Sequence, residues 1–296
     1  MRRRSNLKIW GAACVVLALW LCGCRQDEEL RVNVDRPRLS PGVLMQDVHF
    51  QSAALEREMP YRVFLPEHIA AGKKLPVVYL LHGRGGDFRD WSNSSDVSKY
   101  ALQGLILVMP EGNSSFYLNA VKIPKDKYED YLVHDLVADV EARFPAQNGR
   151  AHRAIVGTSM GGFGAVTLAL RHPEMYVFAS GLSAAIDVPQ RRFSVKRVGQ
   201  WWLFHKIFGP MGSEERAVRD PFVLTRKADA GALPYLYLTA GAQEFLLEPN
   251  RRFAALLQER GIAHEFHVKP GWHDWNEWNA EVPGCFDRMM ASLAIR

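Results

Sequence analysis

The chain has 296 residues, 48% hydrophobic and 23% charged, with a formal net charge of +5; this excludes a disordered or collagen-like polymer and suits one large globular core. The positive balance sits at the start. Arg2, Arg3, Arg4 and Lys8 fall in residues 1–23 without an acidic residue, and without that segment the charge is +1, so a basic nucleic-acid-binding surface is not indicated and no nucleic-acid partner is expected.

After the first basic residues comes an apolar run from about Ile9 to Leu21, too short to span a bilayer comfortably. Residues 1–23 read as an export signal. Leu21-Cys22-Gly23-Cys24 resembles the bacterial lipobox, which implies that Cys24 is acylated and anchors the mature chain to an envelope membrane, facing the periplasm or the exterior. An uncleaved N-terminal membrane anchor is the alternative. With Cys14 and Cys22 removed and Cys24 lipidated, Cys285 has no disulfide partner. Residues 24–45, with Pro37 and Pro41, read as a tether, and 46–296 as the folded domain.

Within that domain, residues 46–52 and 57–65 read as a β-hairpin pair, and LPVVYLL (75–81) and GLILVMP (104–110) as strands buried on both faces. Between Lys127 and Phe144, Leu132, Val133, Leu136, Val137, Val140 and Phe144 recur at helical spacing. There follow a strand at 152–157, a helix from Ser159 to Arg171, strands at 176–182 and 234–241, a helix near 249–260, a strand at 263–268, and a terminal helical region interrupted by Pro283. The alternation predicts an α/β fold with a mostly parallel central sheet and helices on both faces.

The stretch IVGTSMGGFG (155–164) joins a buried strand to a helix, and Gly157-Thr158-Ser159-Met160-Gly161 is the pattern of a nucleophile elbow. Gly157 and Gly161 supply the lack of bulk that a sharp strand-to-helix turn requires. A P-loop needs lysine where Phe163 stands, and a dinucleotide fingerprint needs a second glycine where Ser159 stands. No cofactor is therefore expected. A serine hydroxyl needs a general base, and the base an orienting carboxylate. His273, in KPGWHDWNEW beyond the last strand, is the candidate base. Glu244, after the strand PYLYLTAG, is the candidate acid, with Glu248 as runner-up and Asp274 disfavoured by its closeness to His273. His264 and His267 share a strand at a spacing that puts them on opposite faces, so no metal site is expected. The oxyanion donors are expected to be the backbone amides of Met160, at the start of its helix, and Arg84, in His82-Gly83-Arg84-Gly85-Gly86.

Taken with YLLHGRGGDFRDW, LVMPEGNSSFY, GTSMGGFGAVTLALRHPEMY, AGAQEFLLEPNRRF and PGWHDWNEW, the chain resembles the esterase D-like family of α/β-hydrolases over roughly residues 60–278. That family includes tributyrin esterases, feruloyl esterases, S-formylglutathione hydrolases and the antigen 85 acyltransferases. The resemblance implies an α/β-hydrolase fold and an esterase with Ser159 as nucleophile, His273 as base and the Arg84 and Met160 amides as oxyanion hole. It departs at Glu244, where tributyrin-esterase-like members usually carry aspartate. The segment 187–230, rich in Trp, Phe and Arg, reads either as a small cap over the site or as an amphipathic helix packed on the domain. On the first reading Trp201, Trp202, Phe204 and Phe208 are pocket candidates, and Phe116 is expected nearby. The expected reaction is hydrolysis of a small-molecule or glycan ester. The alternatives are acyl transfer to an alcohol or sugar and a catalytically silent binding protein; the oligomeric state is left open.

Overall fold

The hydrophobic alternation in the strands resolves into two cores, one on each side of a single sheet. In the strand Val77–Leu81, Val77, Tyr79 and Leu81 enter one core while Val78 and Leu80 enter the other, as the two-residue period of a strand requires. The computed structural model describes residues 34–193 and 198–293. Cys24 and the expected signal segment lie outside the described residues. Among those described, no helix is long and apolar enough to cross a membrane.

The eight strands are β1 Val43–Ser52, β2 Arg57–Pro66, β3 Val77–Leu81, β4 Ile106–Pro110, β5 Arg153–Thr158, β6 Phe178–Leu182, β7 Tyr235–Gly241 and β8 His264–Lys269. Their order in the sheet is β1-β2-β4-β3-β5-β6-β7-β8. β1 and β2 pair antiparallel, β2 meets β4 antiparallel, and every later pairing is parallel. The folded body begins at Arg36, earlier than the boundary at 46 suggested by composition. The reason is local hydrogen bonding: the Arg38 amide donates to Ser92 O at 2.8 Å, and Ser40 N to Ser98 Oγ at 2.9 Å.

The longer helices are α1 Val137–Arg143, α2 Met160–Arg171, α3 Val198–Phe208, α4 Pro221–Lys227, α5 Leu247–Glu259 and α6 Trp275–Ser292. Phe163 of α2, Phe204 of α3 and Phe253 of α5 pack into one core; Val282, Phe286 and Met289 of α6 pack into the other. Helix α6 corrects one expectation, because it runs through Pro283 without a break. Pro283 faces solvent, and the buried face of Trp278, Val282, Cys285, Phe286 and Met289 holds the helix together.

Candidate active site

Parallel pairing sets the carboxyl ends of five strands side by side, through Leu81↔Gly157, Thr158↔Leu182, Leu182↔Thr239 and Gly241↔Lys269. The loops leaving those ends therefore meet above one edge of the sheet, the usual place for a ligand in an open α/β fold. Ser159 leaves β5 with φ 53° and ψ −110°, a conformation that L-residues adopt only when their surroundings enforce it. The enforcement is steric. A Cβ on Gly157 would lie 2.2 Å from the carbonyl of Gly161, and a Cβ on Gly161 2.2 Å from the carbonyl oxygen of Leu81. Strand, helix and neighbouring strand can approach this closely only with hydrogen at both positions. The Ser159 amide donates to Leu182 O at 2.9 Å, and its carbonyl accepts from Ala185 N at 3.0 Å.

The structure brings Ser159, His273 and Glu244 into one line. The Ser159 hydroxyl lies 2.9 Å from His273 Nε2, and His273 Nδ1 lies 2.7 Å from Glu244 Oε2. Because a carboxylate only accepts, Nδ1 carries the hydrogen and Nε2 is left to accept from serine. The second oxygen of Glu244 accepts from Gly241 N at 3.1 Å, and its carboxylate is fully buried. The ring of His273 is held between Phe245, with centroids 5.1 Å apart, and the edge of Trp278 at 5.3 Å. Neither alternative acid reaches the histidine in this way. Glu248 is exposed on the first turn of α5, and Asp274 caps α6 by accepting from the amides of Asn276 and Glu277.

Arg84 and Met160 both border the cavity beside Ser159. Met160 is the first residue of α2, where an amide has no carbonyl partner within the helix. The Arg84 turn is fixed from behind by His82, which is buried. His82 Nδ1 donates to Gly83 O at 2.8 Å, and Nε2 accepts from Gly112 N at 2.9 Å, so the ring is held as the neutral Nδ1–H tautomer. Its own carbonyl accepts from the Tyr117 hydroxyl at 2.9 Å.

The cavity has a volume of about 330 Å³. Phe116 and Phe204 form its aromatic wall, with Phe245, Leu246, Ala185 and Val188 around them. Residues Val188, Arg191, Gln200 and Phe204 bring the 187–230 segment to one side of the cavity. Trp201 and Trp202 do not take part, which corrects their assignment as pocket residues. On α3, Gln200, Phe204 and Phe208 recur every four residues and face inward, whereas Trp202 lies opposite and is 54% exposed. Trp201, on the flank, stacks on His205 and meets Phe193 edge-on. Phe208 lies behind the wall, packed on Phe116 and Phe163. Of the two strand histidines, His264 bonds to Ile262 O and His267 pairs with Glu265.

Sequence reasoning missed Glu277, a buried carboxyl on α6 beneath the site, and Asn250, whose side-chain amide donates to Ala184 O at 2.9 Å and ties α5 to the loop after β6.

Comparison with known proteins agrees with this architecture. The family model described as "Putative esterase" matches residues 52–289. The acetyl esterase of Caldicellulosiruptor saccharolyticus is 24% identical over 260 residues, spanning 83% of this chain and 97% of its own. The substrate-bound fluorophosphonate-binding serine hydrolase F of Staphylococcus aureus superposes with a TM-score of 0.73 at 25% identity, over 83% of this chain and 98% of that one. The S-formylglutathione hydrolase of Agrobacterium tumefaciens shares the fold, with a TM-score of 0.75 at 21% identity over 88% and 99% of the two chains. With most of its length matched by the family model, the chain belongs to this esterase family and is a carboxylic ester hydrolase of the α/β-hydrolase fold.

Proposed function

We propose that the protein is a serine carboxylesterase that works through an acyl-enzyme on Ser159 with a Ser-His-Glu triad. The observation that carries this reading is the unbroken chain of contacts from Ser159 Oγ to His273 Nε2 at 2.9 Å and from His273 Nδ1 to Glu244 Oε2 at 2.7 Å. Ser159 Oγ attacks the ester carbonyl carbon as its proton passes to His273 Nε2. The carbonyl oxygen becomes an oxyanion that the backbone amides of Arg84 and Met160, residues bordering the cavity beside Ser159, receive. The carbon–oxygen bond to the alcohol breaks, and the departing oxygen takes the proton from His273. A water molecule then gives a proton to the same nitrogen and attacks the acyl carbon; the bond from that carbon to Ser159 Oγ breaks, Oγ takes the proton back from His273, and the acid is released.

The cavity of about 330 Å³ is at the lower end of the range for small-ligand sites. Its apolar wall of Phe116, Phe204 and Leu246 suits a short acyl group. The test is fluorophosphonate labelling of the folded protein beside Ser159→Ala, with hydrolysis of 4-nitrophenyl acetate followed in parallel. Labelling of the wild type alone is expected; an unlabelled, folded wild type would overturn the reading. Product analysis with and without sugar acceptors reads the division of the acyl group between water and an alcohol.

The localisation we propose is the cell envelope, through acylation at Cys24. Mass spectrometry of the N-terminus of protein taken from cells should find an acylated cysteine, and an intact Met1 would reject the anchor.

A further inference from the structure

The turns that carry Glu244 and His273 are tied directly to each other. Gln243 N donates to Gly271 O at 3.1 Å, and Gly271 N donates to the Gln243 side-chain oxygen at 2.6 Å. Under that tie lies Glu277, 2% exposed, on the first turn of α6. Its side chain occupies the space that a Cβ on Gly271 would need, 2.7 Å from Glu277 Cγ, and it closes in on Gly241 as well, where a Cβ would stand 2.4 Å from the Gly271 carbonyl oxygen and 3.3 Å from Glu277 Cγ. Gly241 is also the residue whose amide holds Glu244. One oxygen of Glu277 accepts from Ser183 Oγ at 3.3 Å, while the other is buried without a hydrogen-bond partner.

We propose that Glu277 is a positioning residue for the Glu244–His273 pair: a second, uncharged carboxyl that fills the space beneath both turns and leaves Glu244 as the sole charge behind the imidazole. The proposal rests on the triad reading above. A buried carboxylate short of a hydrogen bond is costly, and the proton-bearing form relieves the cost. The surrounding groups favour that form. Burial first, then the charges of Glu244 and of Glu281 on α6, push Glu277 up to about 7, while the Ser183 bond and Lys269 of β8 act more weakly the other way. Lys269 is engaged with Glu281, 3.4 Å from its nearer oxygen.

The consequence is electrostatic. When Glu277 loses its proton, a second negative charge stands near the pair and favours the imidazolium, which cannot accept the Ser159 proton. The proton then sits on the base instead of on the buried acid.

The experiment is the pH dependence of kcat/KM of the full chain with 4-nitrophenyl acetate. In Glu277→Gln, which keeps the shape and cannot ionise, the acid limb should move to lower pH by about one unit. In Glu277→Asp, which still titrates, it should move less. Ser183→Ala, which removes a bond favouring the charge and leaves Glu277 in place, should shift the limb in the same direction as Gln and decides the matter where the Gln variant does not fold. A purely structural Glu277 would change the plateau and leave the limbs of all variants superimposed on the wild type, which would overturn the proposal. Failure of the wild type to label with fluorophosphonate at any pH would instead defeat the serine-hydrolase reading beneath it.

Discussion

Glu244 is one methylene longer than an aspartate, and its anchoring shows how the extra length is used. The Gly241 amide holds Oε1, which turns Oε2 to His273 Nδ1 at 2.7 Å, and full burial keeps water from competing for either oxygen. Replacing the carboxylate with an amide leaves the shape but removes the charge and the preference for the Nδ1–H tautomer. Glu244→Gln should therefore lower kcat/KM by about 10³- to 10⁴-fold, while Glu248→Gln, exposed on α5, should change it by less than about twofold. Steady-state kinetics on both variants checks this, and the reverse pattern would move the acid to Glu248. The three residues of the line were legible in the sequence because each follows a strand recognisable by its unbroken apolar run. Glu277 was not legible: in HDWNEW it reads as an ordinary polar position of a helix, and only the packing of α6 under two turns that are distant in sequence makes it buried.

At the scale of elements, the elbow and α3 make opposite demands on sequence reading. The elbow was legible because its constraint is local: Gly157 and Gly161 are four residues apart and each clears the path of a specific backbone. Gly157→Ala would put a methyl 2.2 Å from the Gly161 carbonyl, and backbone cannot yield as a flexible side chain does. The expected loss is about 3 kcal/mol or more of folding stability, read by denaturant unfolding, with Gly231→Ala as a control. Gly231 has nothing closer than 3.6 Å to its would-be Cβ. Helix α3 was only half legible. Its sequence is apolar nearly all round, so periodicity could not say which aromatics face the site, and the rotation of the helix is fixed by Phe116, which Phe204 and Phe208 both meet edge-on. Phe204→Ala should accordingly raise kcat/KM for longer acyl chains relative to acetyl by opening the pocket wall. Trp202→Ala should leave that ratio within about twofold. A chain-length series of 4-nitrophenyl esters separates the two, and equal effects would contradict this rotation.

For the whole molecule, two pairs of carboxyls shielded from water pull the pH dependence of stability in opposite directions. Despite the desolvation that works against them both, Glu129 is held below the usual carboxylate range by bonds and charges from His172 and Arg171, and Glu111 is lowered with the amides of Asn113 and Phe88 donating to its two oxygens. Such groups bind fewer protons folded than unfolded, so their contribution is present above their unfolded pKa and fades as the pH falls through the acid range. Glu277 and Asp90 behave in the reverse sense, raised mainly by burial to about 7 and about 6. For these the folded state holds the proton longer, so stability declines as the pH rises from the unfolded value toward the folded one and stays lower above it. For Glu277 the window runs from 4.5 to about 7, and a displacement of this size corresponds to about 3 kcal/mol when fully expressed. Glu277→Gln removes that penalty while keeping the volume of the side chain. Its Tm should therefore exceed that of the wild type by several degrees at pH 8, roughly 2–4 °C for each kcal/mol recovered, and the gain should shrink toward zero or reverse near pH 4.5. Thermal unfolding of both proteins across this range, followed by circular dichroism, measures the difference. A gain independent of pH would mean that the carboxyl does not titrate between these values in the folded protein.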